Sequence, residues 1–321
     1  MKRNLFLKFD LTRGSLFLCS LTIATIYIPI TLLFQQSWAQ DHNALSFIFP
    51  DTANTHGNDR KISIPFLVTP DMSSGGAIKD SVYWIQVTTD SGVIHAAIAI
   101  PKGTGPFPAI VILHGSHGFA EEYIQFARQI ARNGIVGIAA CWFAGRRGEG
   151  SRFITPIDCN DAPPLVDVAG TNRFRIARQT IDSLVGKVRT LHYVKPGSLV
   201  LFGHSRGAGA ALDYVLTHPG SVQGAVLNSG GYPNEFSERV SEINVPILIL
   251  HGIADSPAEG GSAFTDVSMA RQFEAALRAA KKNVEVKYYE ESGHNSVFTN
   301  STQFEDTIQR ISDFVRNKLF K

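Results

Sequence analysis

The sequence predicts an α/β domain with a mostly parallel β-sheet that is covered by helices on both faces. The main observation is that, from residue 81 onward, short apolar runs alternate with amphipathic stretches of helical period. A second observation is a pair of segments with alternating apolar and polar residues, 81–87 and 93–100, which is typical of an antiparallel hairpin at a sheet edge. No internal repeat is evident, so residues 81–321 are predicted to form one domain.

Short apolar runs predict the buried strands of this sheet, and amphipathic stretches predict its helices. The strands are expected at 109–113, 136–140, 199–202, 225–227, 247–250 and 284–288. The helices are expected at 121–132, 172–192, 207–217, 265–281 and 303–319. One long insertion, 141–171, lies between a strand and a helix, whereas residues 229–245 are too few to form a large lid domain.

The composition is that of a folded globular protein. Hydrophobic residues make up 44% of the chain and charged residues 18%, which excludes a disordered or collagen-like chain. The net charge of +2 is concentrated in the first 39 residues, which carry +3, so the rest of the chain carries about −1. Nucleic acid is not an expected partner because phosphate contacts require clustered Lys and Arg.

Residues 1–39 are typical of a signal peptide. The segment 16–34 has no charged residue, follows four basic residues and precedes Ser37-Trp38-Ala39, a small-x-small arrangement that signal peptidases accept. We therefore expect an exported protein that is secreted, periplasmic or on the cell surface. Because 16–34 is also long enough to span a bilayer, an uncleaved membrane anchor is the alternative, and a membrane is an expected partner only in that case. Residues 40–80 are turn-rich and are predicted to form an N-terminal arm.

Two of the three cysteines, Cys141 and Cys159, lie in the predicted α/β domain, whereas Cys19 lies in the leader. In an oxidising compartment such a pair is a candidate disulfide, and the alternative is that both are unpaired small apolar residues. A bridge here would fasten a loop rather than hold the fold together, since a domain of this size buries a large core without help.

The strongest chemical signal is the Gly-x-Ser-x-Gly motif formed by Gly203, Ser205 and Gly207. An apolar strand precedes the motif and a helix rich in small residues follows it, which is the setting of a nucleophile elbow. In this turn the serine backbone is strained and its hydroxyl projects above the sheet, while side chains at the two glycines would collide with the neighbouring strand and helix. Ser205 is therefore the candidate nucleophile.

A serine nucleophile needs a base, and an imidazole serves best when a carboxylate holds it in one tautomer. Asp255 follows the strand that ends near residue 250, and His294 follows the last strand, so both lie just past strand ends in the order serine, acid, base. Each residue alone has a simpler explanation: Asp255 could cap a turn, and His294 could be an exposed loop histidine. Together with Ser205 they predict a catalytic triad, with Glu290 and Glu291 as reserve candidates for the acid.

The tetrahedral intermediate of such a reaction needs two backbone N–H donors. We expect one from Arg206, the residue after the nucleophile, and one from Ser116 in the glycine-rich loop 114–118, with His117 as second choice. The spacing of His114 and His117 could suggest a metal site, but no metal is expected because no cysteine or carboxylate cluster accompanies them.

Aromatic side chains that follow two strand ends are candidates for the walls of the substrate pocket. These are Trp142 and Phe143 after one strand and Tyr232 after another, and His117 is a further candidate. Ordinary packing in the core is an equally good explanation for aromatic residues at these positions. With no lid domain, we expect a fairly open cleft.

From about residue 81 to the end, the chain resembles the α/β-hydrolase superfamily and, within it, the dienelactone hydrolase-like group. The matching motifs are His114-Gly115-Ser116-His117-Gly118, Gly203-His204-Ser205-Arg206-Gly207, His251-Gly252-Ile253-Ala254-Asp255 and Gly293-His294. The resemblance implies an α/β-hydrolase fold with an eight-stranded, mostly parallel sheet, and hydrolysis through an acyl-serine. One departure is that dienelactone hydrolases use a cysteine where this chain has Ser205, so their substrate is not carried over.

The sequence therefore predicts an exported serine hydrolase that cleaves carboxylic esters of small molecules without a cofactor. Alternatives are a serine peptidase or amidase, or a thioesterase, of the same fold. A binding protein that uses this fold without catalysis would be expected to lack a triad residue, and all three candidates are present. The oligomeric state is left open.

Overall fold

The computed structural model describes residues 82–145, 154–159, 162–163, 174–259 and 261–319. The predicted leader and the predicted N-terminal arm therefore lie outside the described residues, as does part of the insertion. Among the helices in the described ranges, none combines the length and the apolar composition needed to cross a membrane.

The described part of the chain forms an eight-stranded sheet with the order β1-β2-β4-β3-β5-β6-β7-β8. β1 and β2 are antiparallel, β2 is antiparallel to β4, and the remaining neighbours are parallel, so the sheet is mostly parallel as predicted. The strands are β1 Val82–Thr89, β2 Gly92–Ala99, β3 Phe107–Leu113, β4 Val136–Cys141, β5 Val194–His204, β6 Gly224–Asn228, β7 Ile247–Gly252 and β8 Val284–Tyr289.

Helices follow most of the parallel strands, as connections between parallel strands require. They are α1 Glu121–Arg132, α2 Arg175–Arg189, α3 Arg206–Thr217, α4 Asn234–Glu238, α5 Val267–Ala279, α6 Ser296–Thr299 and α7 Ser301–Leu319, with short 3₁₀ turns at Val240–Glu242 and Pro257–Glu259. The five helices expected from the sequence correspond to α1, α2, α3, α5 and α7. The segment between β6 and β7 contains α4 and a 3₁₀ turn but no lid domain.

Burial explains why the central strands are continuous apolar runs. Every residue of β4, β6 and β7 is buried, because helices pack on both faces of the sheet. α1 shows the complementary pattern: Tyr123, Phe126, Ala127 and Ile130 lie on its buried face, at the spacing of one side of a helix. Helix and sheet approach so closely that a Cβ at Gly137 in β4 would lie 2.5 Å from the carbonyl oxygen of Ala127.

β5 is longer than the sequence predicts, since it begins at Val194 rather than near residue 199. Its residues 195–197 are exposed, so this first half carries no apolar signal. Phe107 pairs with Val194 and Ala109 pairs with Leu199, with an irregularity between the two pairs. The apolar second half of the strand runs through the centre of the sheet.

The carboxyl ends of β3, β5, β7 and β8 all lie at one edge of the sheet, because these strands are parallel. The loops that follow them therefore meet at this edge, which is where ligands bind in open α/β sheets. Ser205, Asp255, His294 and the loop 114–118 all follow these strands.

Candidate active site

The turn between β5 and α3 carries Ser205 in a backbone conformation that is rare for a residue with a side chain. Its φ is 53° and its ψ is −114°, and its N–H donates to the carbonyl oxygen of Asn228 at 2.9 Å. A Cβ at Gly203 would lie 2.2 Å from the carbonyl carbon of Gly207, and a Cβ at Gly207 would lie 2.2 Å from the carbonyl oxygen of Leu113. The two glycines of the motif are therefore required by close backbone packing, as the sequence predicts.

The structure brings Ser205, His294 and Asp255 into one chain of hydrogen bonds. His294 Nδ1 lies 2.8 Å from Asp255 Oδ2, and His294 Nε2 lies 2.9 Å from Ser205 Oγ. Because the ionised carboxylate can only accept, Nδ1 carries the ring proton, and Nε2 of the neutral imidazole accepts from the serine hydroxyl. Asp255 and His294 are buried, whereas Ser205 is partly exposed. The arrangement can remove a proton from the hydroxyl of Ser205.

The carboxylate of Asp255 is held by more than His294. Thr265 Oγ1 donates to Asp255 Oδ1 at 3.2 Å, and His251 Nε2 lies 3.3 Å from Asp255 Oδ2. Burial alone would raise the pKa of Asp255, but the hydrogen bonds from His251 and His294 outweigh it and lower the pKa of this carboxyl. Asp255 therefore remains ionised in spite of its burial.

The loops that carry the acid and the base are joined to each other through their backbones. Ala254 N–H donates to the carbonyl oxygen of Ser292 at 3.0 Å, and Ile253 N–H donates to that of Tyr289 at 2.9 Å. A Cβ at Gly252 would lie 2.1 Å from Ser292 O, so only glycine allows this approach. The position of Asp255 relative to His294 is thereby fixed by main-chain contacts.

The loop 114–118 lies against the nucleophile. A Cβ at Gly115 would be 3.2 Å from Ser205 Cβ, and the Arg206 guanidinium Nε donates to Ser116 Oγ at 2.9 Å. Arg206 is the first residue of α3 and directly follows Ser205. The structure thus places both predicted oxyanion donors, Ser116 and Arg206, next to Ser205.

Tyr123 supports this loop from α1, a role that no sequence signal indicated. The N–H of Gly115 donates to the Tyr123 hydroxyl oxygen at 3.0 Å, and His117 Nε2 lies 2.8 Å from the same oxygen. Burial and the nearby His204 lower the pKa of His117 to about 2, so His117 is neutral and can accept the proton of Tyr123. His117 is almost fully buried and contributes to the support of the loop rather than to an open cleft.

The aromatic residues that were candidates for the pocket wall lie inside the core, as the equal alternative of ordinary packing predicts. Trp142 is 1% exposed and its indole N–H donates to the carbonyl oxygen of His114 at 3.2 Å, while the Phe143 ring stacks on the His114 ring at 4.5 Å. Tyr232 is 2% exposed and stacks on Phe273 at 4.8 Å. The chain turns inward after β4 and β6, so these rings pack beneath the loops.

The predicted pair Cys141 and Cys159 is joined by a disulfide, with 6.0 Å between the Cα atoms. Cys141 ends β4, and the bridge holds the segment 154–159 beside the start of α1. There, Ile157 N–H donates to the carbonyl oxygen of Phe119 at 3.0 Å. As predicted, the bridge fastens a loop to a fold whose core is already large.

Within the described ranges, no group of three or more His, Cys, Asp or Glu side chains is placed to hold a metal ion. His114 is fully buried among aromatic rings, and burial lowers its pKa to about 4. The pair His114 and His117 therefore packs in the core and supports the loop.

The sequence model described as the dienelactone hydrolase family matches residues 94–312, which is more than half of the chain. A curated relative, the esterase-named protein NocK from Nocardia uniformis subsp. tsuyamanensis, is 29% identical over 159 residues. The match covers 50% of this chain and 42% of NocK, so the chain spans less than half the length of that relative.

Solved structures share the fold at low sequence identity. A dienelactone hydrolase-like promiscuous phosphotriesterase from metagenomic libraries superimposes with a TM-score of 0.57 at 14% identity, covering 74% of this chain and 98% of that one. An acylaminoacyl peptidase from Pyrococcus horikoshii superimposes with a TM-score of 0.58 at 12% identity, covering 76% of this chain and 43% of that one. These likenesses support the fold alone.

Proposed function

The chain belongs to the dienelactone hydrolase family, and from this premise we propose that it cleaves carboxylic esters of small molecules through an acyl-serine on Ser205. The observation that carries the proposal is the continuous chain of hydrogen bonds from Ser205 Oγ through His294 to Asp255. Its geometry suits removal of the hydroxyl proton, and the strained turn presents the hydroxyl at the ligand-binding edge of the sheet.

The first half of the reaction forms the acyl-enzyme. Ser205 Oγ attacks the ester carbonyl carbon while His294 Nε2 takes the hydroxyl proton, which gives a tetrahedral intermediate with a negatively charged oxygen. When the intermediate collapses, the bond from carbon to the leaving oxygen breaks, and His294 gives its proton to that oxygen. The alcohol leaves and the acyl group stays on Ser205.

The second half repeats these steps with water. His294 Nε2 takes a proton from the water as it attacks the acyl carbon, and a second tetrahedral intermediate forms. Its collapse breaks the bond to Ser205 Oγ, which recovers its proton from His294, and the carboxylic acid leaves. The ionised Asp255 stabilises the positive charge on His294 in both halves and keeps the ring proton on Nδ1.

The negative oxygen of each intermediate is proposed to lie between the backbone N–H groups of Ser116 and Arg206. This assignment is supported by the contact of the loop 114–118 with Ser205 and by the start of α3 at Arg206, where the helix dipole favours negative charge. The guanidinium of Arg206 donates to Ser116 Oγ and so links the two segments.

The decisive test is the substitution Ser205→Ala, assayed on a p-nitrophenyl ester of a short-chain acid. We expect kcat to fall by about 10⁴-fold or more, because the variant cannot form the acyl-enzyme. Ser183→Ala is a matched control: Ser183 lies on α2 and donates only to the Gln179 carbonyl oxygen at 2.9 Å, so its loss should leave kcat unchanged. Full turnover by Ser205→Ala would refute the proposal.

The same assay separates esters from the alternative substrates. A panel of acyl esters, acyl thioesters, aminoacyl anilides and a phosphotriester, measured as kcat/KM, is expected to favour the esters. An amine leaves less readily than an alcohol and must be protonated by His294 before the bond from carbon to nitrogen breaks, so the ester is the easier substrate for this triad. A preference for the anilides of at least tenfold would instead assign the chain to the peptidases.

We also propose that the protein is exported and that its leader, 1–39, is removed. The proposal is supported by the uncharged segment 16–34 and by the disulfide, which is compatible with an oxidising compartment. The mass of the protein recovered from an exporting host should correspond to a chain that begins at Gln40. Recovery of the intact chain in the membrane fraction would favour the uncleaved anchor.

A further inference from the structure

His204 and Asn295, which do not belong to the triad, form a hydrogen bond close to the one between Ser205 and His294. His204 directly precedes Ser205, and Asn295 directly follows His294. His204 Nε2 lies 3.1 Å from Oδ1 of Asn295, next to the 2.9 Å contact between His294 Nε2 and Ser205 Oγ. The strand end that carries the nucleophile is thus joined to the loop that carries the base by a second side-chain hydrogen bond.

The contacts of Asn228 establish which nitrogen of His204 carries a proton. The Asn228 side-chain N–H donates to the carbonyl oxygen of Leu250 at 3.4 Å, so its amide oxygen is the atom that faces His204 Nδ1 at 2.7 Å. An amide oxygen only accepts hydrogen bonds, and Nδ1 of His204 therefore carries the proton.

His204 is neutral because it is fully buried. Its exposed fraction is 0%, and burial together with the neighbouring His294, whose ring centroid lies 5.2 Å away, lowers the pKa of His204 to about 3. With the single proton on Nδ1, Nε2 has a lone pair and must accept. The structure places Asn295 Oδ1 3.1 Å from Nε2, but an amide oxygen and this lone pair are both acceptors. The hydrogen-bond network therefore assigns the Asn295 amide the opposite orientation, with its NH₂ group toward His204.

This bond joins a rigid part of the sheet to a less constrained one. His204 ends β5 at the centre of the sheet and pairs with Asn228 of β6, whereas Asn295 lies in the loop after β8, the edge strand. Proton transfer requires the reacting atoms to be held to within about 0.5 Å. The hydrogen bond between His204 at the end of β5 and Asn295 in the loop after β8 provides that restraint.

We infer that His204 is a positioning residue, which keeps His294 at hydrogen-bond distance from Ser205 by accepting a hydrogen bond from Asn295. The inference rests on the proposed function, since it assigns His294 the part of the general base. His204 does not touch the substrate and exchanges no proton in the reaction. Its effect is on kcat, through the geometry of the pair formed by Ser205 and His294.

Two amide substitutions at this position separate positioning from simple packing. In His204→Asn, the amide occupies the place of Nδ1, so the contact with Asn228 is kept and the contact with Asn295 is lost. In His204→Gln, the amide reaches the place of Nε2, so the contact with Asn295 is kept and the contact with Asn228 is lost. Each variant leaves one partner without its hydrogen bond, and the two should lose similar thermal stability.

We expect kcat for ester hydrolysis to fall about 10- to 100-fold in His204→Asn, with KM changed less than about twofold. His204→Gln should lose at most about threefold in kcat, and Asn295→Ala should match His204→Asn. If the Gln and Asn variants lose kcat equally, in step with their melting temperatures, His204 is only a packing residue and the inference is overturned. Unchanged kcat in Asn295→Ala would overturn it as well.

An NMR measurement tests the positioning role without relying on turnover. The ring signals of His294 should change in His204→Asn and in Asn295→Ala but stay close to those of the native protein in His204→Gln. If Ser205→Ala retains full turnover, the proposed function fails, while this pattern of His294 signals would still support the positioning role. Equal displacement of the His294 signals in the two His204 variants would overturn the inference even if the esterase activity is established.

Discussion

The turn around Ser205 and the loop 114–118 lie side by side at the site, but different interactions hold them in place. The turn depends on backbone packing: Gly203 and Gly207 allow contacts in which any Cβ would overlap main-chain atoms at about 2.2 Å. These main-chain atoms belong to the buried first turn of α3 and to the buried end of β3, so neither can move away easily. The positive φ of Ser205 is maintained by the same packing.

The loop 114–118 depends on side chains instead. The Tyr123 hydroxyl accepts from Gly115 N–H, the Trp142 indole donates to the carbonyl oxygen of His114, and Arg206 donates to Ser116 Oγ. Each of these contacts can be removed singly by one substitution. Substitutions in the turn are therefore expected to lower both the stability of the fold and the activity. Single substitutions around the loop are each expected to remove one hydrogen bond and to lower the activity by a limited amount.

The largest expected effect comes from Gly207→Ala in the turn. The new Cβ would lie 2.2 Å from the carbonyl oxygen of Leu113 in β3, and we expect the free energy of unfolding to fall by about 3 kcal/mol, with activity lost in parallel. Denaturant titration measures the stability. Gly209→Ala is the matched control in the same helix: apart from its own chain neighbours and the adjacent helix backbone, no atom lies within 4 Å of its Cβ, and stability should rise by about 0.5–1 kcal/mol. Equal stability of the two variants would contradict the view that close backbone packing holds the turn in place.

An intermediate effect is expected for Tyr123→Phe, which removes the acceptor of Gly115 N–H and the partner of His117 but keeps the ring. We expect kcat to fall about 10- to 100-fold, because the loop 114–118 shifts relative to the oxyanion, with little change in KM. Stability should fall by about 1–3 kcal/mol.

Tyr214→Phe is the control for this change. Tyr214 is fully buried in α3, and its hydroxyl donates to Asp182 Oδ1 at 2.8 Å, more than two helical turns beyond Ser205. This variant should lose a similar amount of stability but no activity. If Tyr123→Phe loses only stability, the loop is held by other contacts.

The smallest effect is expected for Ser116→Ala. The substitution removes the acceptor of the Arg206 guanidinium but leaves the backbone N–H of residue 116 in place, so kcat/KM for a short-chain ester should fall less than about threefold. A loss above about tenfold would mean that the side chain, rather than the backbone, carries the function assigned to Ser116.

The sequence predicted the fold well where burial produces a clear pattern. The helix expected at 121–132 corresponds to Glu121–Arg132, and the strand at 136–140 to Val136–Cys141, because both combine apolar residues at a regular spacing. The first half of β5 could not be predicted, since its residues 195–197 are exposed and lack such a pattern. The number of strands followed from the family resemblance, and the order of the strands was not predicted.

The site was predictable where the reactive residues follow the ends of predicted strands. Ser205, Asp255 and His294 come directly after strands, so their meeting at one edge follows from a parallel sheet. The contribution of Tyr123 depends on how α1 is rotated against the sheet, which periodicity alone does not determine. Trp142 was a candidate both for a pocket wall and for the core, and the sequence could not decide between them because the direction of the chain after β4 has no sequence signature.

The position of β8 in the chain also determines when the site can be completed during synthesis. β8 is the last strand of the chain and lies at the sheet edge, and His294 follows it, 89 residues after Ser205. During synthesis the nucleophile is therefore complete long before its proposed base, and a chain that ends before β8 has the turn but no group to take the serine proton. The proposed hydrolysis therefore requires the edge strand β8 to be in place.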